Sequence, residues 1–263
     1  MEEQRVFELG MAAVDAIVVA VIASCTAVGL VIGRRVRDRP STREGLGVAQ
    51  AALLGFIALL LTFGLTMAVG RYEKRRDAVT NEANTIGTTY LRAQTLPEPM
   101  RSSSLELLSR YTDLRLDLSH AVPGSRRYRD LADQSSAAQR VLWNLAGQAL
   151  AQQPDATAPR LYLDSLNAMI DAHTSRLAAL ADVIPSSVLY GQLFASAAAL
   201  GVLSAYLGIV GRSSVTAVLA AVLVAMIVLI IIDLDRPVRG LVQVPATPLE
   251  QVRSMIDHGP AYP

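Results

Sequence analysis

Hydrophobic and polar positions in this chain are segregated into long blocks. Four stretches carry no charged residue at all: Ala16 to Gly33, Gly45 to Gly70, Val183 to Gly211 and Ser213 to Ile232. A bilayer core about 30 Å thick takes roughly 20 apolar residues of helix to cross. Each block therefore predicts a span, at about 11–33, 46–70, 188–210 and 215–232. Short links join the first pair and the second pair, so the spans form two hairpins. Between the hairpins lies a charged segment of about 71–187, and a Pro-rich tail, 234–263, follows the last span.

Within the charged segment the apolar residues recur at helical spacing. Tyr72, Val79, Ala83, Ile86 and Tyr90 share one face, and no proline occurs between Arg71 and Leu96, so span two is expected to leave the membrane as one continuous rod that Pro97 and Pro99 end. Three more helices follow, each closed by a breaker. Pro99 to about Ala121 carries Leu105, Leu108, Tyr111 and Leu118; Arg126 to Gln153 carries Leu131, Val141, Leu142 and Leu145; Pro159 to Ile184 carries Leu163, Leu166, Ile170, Leu177 and Leu180. The predicted class is all-α: a four-span helical membrane protein with a helical bundle inserted between spans two and three. The tail after Ile232 reads as mostly extended.

Composition sharpens this only slightly. Hydrophobic residues make up 52% of the chain and charged ones 18%, the excess over a soluble domain lying in the four blocks. A formal net charge of +1 points to no partner, and nothing suggests nucleic acid. Cys25 is the single cysteine, which excludes an intrachain disulfide and a cysteine-based metal cluster. Glu2, Glu3 and Glu8 precede the first block and Arg34, Arg35 and Arg37 follow it, the reverse of a signal peptide, so it is expected to persist as a span. Basic residues flank the spans in two competing patterns: five arginines between spans one and two, against Arg71, Lys74, Arg75, Arg76, Arg236 and Arg239 after spans two and four. The positive-inside rule does not decide between them.

Candidate chemistry is sparse. No HExxH, GxxxxGK[ST], GxSxG or GxGxxG pattern occurs, and His120, His173 and His258 stand on different elements, so neither an enzyme nor a metal or cofactor is expected. His173 is read as a packing residue of the bundle. Charges near the membrane carry more weight, because an uncompensated one near mid-bilayer costs several kcal/mol. Asp15 reads as an interfacial carboxylate near the start of span one, and Asp233, Asp235 and Arg236 as a local ion-pair network closing span four. Gly29 and Gly33 have GxxxG spacing, and Ala217, Ala221 and Ala225 form a second small-residue stripe, suited to close packing within the subunit.

Span two is the best candidate for function. Phe56, Leu60, Phe63 and Met67 fall at i, i+4, i+7 and i+11 on one helix face, and Thr62 and Thr66 add hydroxyls on a neighbouring face. A ring of such faces would form an apolar constriction, with Arg71, Lys74 and Arg75 as a basic mouth attracting small anions. The simpler use of the same residues is lipid contact and helix packing.

Phe63, Ala68, Arg71, Tyr72 and Arg76 reproduce the spacing F-x4-A-x2-R-[WY]-x3-R, which resembles the pore-helix exit of bestrophins. The segments 71–99, 166–185 and 231–244 are similar to the bacterial bestrophin-like membrane family, and the resemblance runs through most of the chain from span two onward. It implies a homo-oligomer, a pentamer by analogy, in a bacterial inner membrane, with span two around a central anion pore and the helical domain and both termini in the cytoplasm. Gly64, Leu65, Thr66 and Met67 stand where bestrophins favour a polar stretch, and the acidic calcium-binding cluster of the animal proteins is not evident, so calcium gating is not carried over. A reading from a different class is a non-conducting scaffold or signalling protein whose helical domain binds a partner; an enzyme acting on lipid has no motif behind it.

Overall fold

A computed structural model describes residues 2–36, 43–122, 124–211, 214–236 and 242–258, with the side chains of 2–11 and 43–45 left aside. Among them are eight α-helices: α1 (Glu2–Arg35), α2 (Arg43–Ala93), α3 (Met100–His120), α4 (Arg126–Gln152), α5 (Thr157–Ala181), α6 (Ser186–Val210), α7 (Ser214–Asp235) and α8 (Thr247–His258). No strand occurs among the described residues. Four helices are long and apolar enough to cross a membrane, and α2 runs unbroken for 51 residues, as the absence of proline predicts. The middle of the arginine-rich link, Arg37 and Arg39, and the tail's Pro237 and Arg239 lie outside the described residues.

The chain divides into two compact units, one of residues 1–71 and 183–236, the other of 72–182 and 237–263. In the first, α1 packs along α6, and α7 touches both. Its helices approach closely because they carry glycine where they cross. A methyl group at Gly29 would overlap the Gly201 carbonyl oxygen, and one at Gly33 the Ala205 carbonyl oxygen. The glycine pair of α1 therefore seats against the backbone of α6. Ala217 and Ala221 of α7 are buried as well. Gly211, with φ of 75°, ends α6 in the left-handed conformation that glycine adopts at least cost.

The second unit buries the apolar faces of α2 to α5 around Ile86, Leu108, Tyr111, Leu142, Tyr162 and Leu166, all fully sequestered. Val141 departs from its expected place: it is exposed beside Trp143, and α4 instead buries Leu131, Ser135, Ala138, Leu142, Ala146 and Ala149. The small residues of that stripe allow close approach, which a face drawn only through large apolar residues overlooks. Ser125 caps α4 by accepting a hydrogen bond from the Tyr128 N–H at 3.1 Å.

The extended tail is corrected by α8. Leu249 is fully buried in the core of the second unit, Val252 packs beside it, and Arg253 Nε donates to Asp113 Oδ1 of α3 at 2.5 Å. Thr247, Pro248 and Glu250 form the T-x-x-E pattern with proline in the first turn that starts helices.

Candidate functional site

Two places in the molecule hold chemistry, the membrane part of α2 and a charge cluster inside the second unit. At about 100° per residue, Ile57, Leu61, Gly64 and Ala68 form one face of α2, and all four are buried. Gly64 is needed there: the Gln192 side chain of α6 occupies the space a side chain would fill, and its amide donates to the Leu60 carbonyl at 3.0 Å. Directly opposite lie Leu59, Thr62 and Thr66, all exposed. Phe56, Phe63 and Met67 border this open arc and are 54%, 59% and 38% exposed; Leu60 is half-buried at its edge. The predicted aromatic and hydroxyl faces are thus both uncovered in the subunit. The two threonine hydroxyls donate to α2's own carbonyls, Thr62 to Ala58 at 2.7 Å and Thr66 to Thr62 at 2.9 Å, leaving oxygen lone pairs outward.

The basic residues after the span separate. Lys74 is exposed and Arg71 half-buried, whereas Arg75 is only 2% exposed. Its guanidinium turns into the helical unit, donating to the carbonyls of Ala179 at 3.3 Å and Asp182 at 2.8 Å, where the C-terminal end of α5 concentrates negative potential. A position one residue after Lys74 on a helix lies about 100° round from it, which is why one base faces out and the next faces in.

The expected ion pairs are also rearranged. Asp15 lies well inside α1, because that helix starts at Glu2, so helix-terminus compensation is not its stabiliser. Arg236 provides it, with Nη2 2.7 Å from Asp15 Oδ1 and Nη1 3.4 Å from Oδ2. Asp235 turns away from that pair to accept the Ile184 N–H with both oxygens, at 2.9 and 3.1 Å. The local network at the end of α7 thus becomes two ties, one to α1 and one to the start of the third span's lead-in. Asp233 is half-buried in the last turn of α7.

The charge cluster was not legible as such. Glu82 of α2 is fully buried and accepts from Arg115 of α3 (Nε at 2.7 Å, Nη2 at 3.3 Å) and from Arg176 Nη1 of α5 at 2.5 Å. Arg176 Nη2 also donates to Ser119 Oγ at 2.8 Å, and His173 Nδ1 stands 3.4 Å from Glu82 Oε1. Burial alone would raise the Glu82 carboxyl, but the His173 contact and the Arg115 and Arg176 charges outweigh it and hold the group well below the usual carboxylate range. His173 is a bundle residue, as expected, yet it packs against a charge. The signal was present in the sequence as ionisable residues on otherwise apolar helix faces, Glu82 between Val79 and Ile86 and Arg115 between Leu108 and Leu118. Among the described residues no group of acids, histidines or cysteine has metal-holding geometry.

Four helices long and apolar enough to cross a membrane, together with a helical unit that includes the C-terminal part of α2, define a multi-pass helical membrane protein. A family model for the Bestrophin-like domain matches residues 16–249, and the chain belongs to that family. Among solved structures it is similar to a bacterial bestrophin homologue from Klebsiella pneumoniae, with 13% identity and a TM-score of 0.69 over 91% of this chain and 100% of that one. It is also similar to a structure described as a membrane protein with a single substitution, at 13% identity and a TM-score of 0.70 over 92% and 99% of the two chains. At such identities the likeness speaks for the fold. No curated protein matches the chain.

Proposed function

We propose that the chain is one subunit of an oligomeric ion channel favouring small anions, in which copies of α2 surround a central pore in a bacterial inner membrane. One observation carries this reading. The open face of α2 mixes two hydroxyls, Thr62 and Thr66, with Phe56 and Phe63 along the span, whereas the exposed large side chains of α7 are Val215, Val218, Leu219, Val222, Leu223, Met226 and Ile230, and its exposed hydroxyl, Thr216, stands in the first turn. An aliphatic face suits acyl chains, and a face of aromatics and hydroxyls suits an aqueous axis narrowed by apolar rings. Membership of the Bestrophin-like family and resemblance to bestrophin anion channels support the same arrangement.

In this assembly Phe56, Leu60 and Phe63 form the constriction, and Met67 widens toward the exit. The threonine hydrogens are engaged by carbonyls of α2, so anion preference falls to the exit, where Lys74 and Arg71 set a positive field and the inward-facing Arg75 contributes little. The helical unit then lies on the cytoplasmic side. Purified protein in liposomes is expected to pass chloride in a flux assay, and Phe63→Ala to raise that flux by widening the narrowest ring. Absence of flux across a range of voltage and pH overturns the proposal.

A further inference from the structure

We propose that the second unit contains a binding site for a small organic oxyanion, a carboxylate or phosphate on a short apolar body. The site is a cavity of about 270 Å³ whose lining includes Arg75, Arg115, Arg176, His120, Ser119 and Tyr128. A water in the liquid takes about 30 Å³, so this volume exceeds a hydration site and approaches the lower end of small-molecule pockets, about 300 Å³.

Its charge is unbalanced. Among the described lining residues there is no carboxylate, and Glu82 behind the wall offers one negative charge to the two guanidiniums of Arg115 and Arg176. Both arginines are buried, at 0% and 5% exposure, so water screens their positive charge poorly. An oxyanion in the cavity supplies the missing negative charge. Val79, Leu118, Leu180 and Val244 furnish apolar walls for the rest of the ligand. The last wall comes from the segment just before α8, residues 243–246, so ligand binding would bear on the docking of α8 within its unit. The inference is independent of conduction, since every residue named belongs to the second unit.

Titration calorimetry on the detergent-purified full chain, at fixed ionic strength, tests the site with inorganic phosphate and with benzoate. Saturable binding of one equivalent of either anion per chain is expected, with benzoate alone identifying a carboxylate ligand and phosphate alone a phosphorylated one. His120 is exposed at the rim, so H120E leaves the buried network in place and is expected to weaken binding at least about tenfold by repulsion. R176Q should abolish it, and H120E still decides the matter if R176Q does not fold. No heat with either anion at millimolar concentration, or equal binding by wild type and H120E, overturns the proposal.

Discussion

Asp15 and Arg236 stand 221 residues apart in the chain and share a charge-assisted pair, with Arg236 Nη2 2.7 Å from Asp15 Oδ1. The first and last spans are thereby tied by a bond that either end could not keep alone. The Asp15 carboxylate is 40% exposed and Arg236 19%, so the pair is only partly desolvated. Asp15→Asn and Arg236→Gln are each expected to lower stability by about 1 kcal/mol. A double-mutant cycle on thermal unfolding in detergent checks this: a coupling energy of zero means the two side chains do not sense each other.

The crossing of α1 and α6 leaves no room for a methyl group. Gly33→Ala should force the helices apart at Ala205 and cost about 1–3 kcal/mol. Gly55→Ala, at a glycine beside open space, serves as the matched control and should be neutral or mildly stabilising. Melting temperatures of the two variants, measured side by side, discriminate between them.

Glu82 makes the helical unit acid-sensitive in a defined direction. Its carboxyl binds a proton less readily in the folded unit than in the unfolded chain. The stabilisation is therefore complete above the unfolded value of about 4.3 and is lost as pH falls toward the depressed folded value. Glu82→Gln removes the counter-charge of two buried arginines and should cost about 3–5 kcal/mol at neutral pH. It should also flatten the acid limb of the stability curve, read by circular dichroism from pH 7 down to the unfolding transition.

Leu249 tests whether α8 is part of the core. The side chain is fully buried among residues of the helical unit. Leu249→Ala is expected to cost about 2–5 kcal/mol, while Glu250→Ala, on the exposed side, should change stability far less. Equal effects in a urea titration would mean that the helix does not pack as described.

The long periodicities were readable from the chain because they follow from one physical requirement each. A span needs length and freedom from charge, and α2 needed only an unbroken helical pattern without proline to be seen as a continuous rod. Phe63, Thr62 and Thr66 were recognisable as a face because helical spacing alone fixes their angles. What periodicity could not supply was partnership. Arg75 looked like its neighbour Lys74 until the end of α5 was brought against it, and Asp15 had no visible partner because Arg236 lies at the far end of the spans. Glu82, Arg115 and Arg176 sit on three helices, and their common centre exists only after those helices pack. The tail was misread for a different reason: its prolines were weighed as breakers, although Pro248 occupies a helix's first turn, where the missing N–H costs nothing.

The arrangement of α2 in the assembled protein is the claim on which the functional account depends. Imaging of the purified particle by electron microscopy tests it most directly. A closed ring of copies with Phe56, Phe63 and Thr66 facing a central axis is the predicted result. A particle in which this face of α2 is covered by lipid, with no opening between subunits, would contradict the channel proposal and favour a non-conducting membrane scaffold.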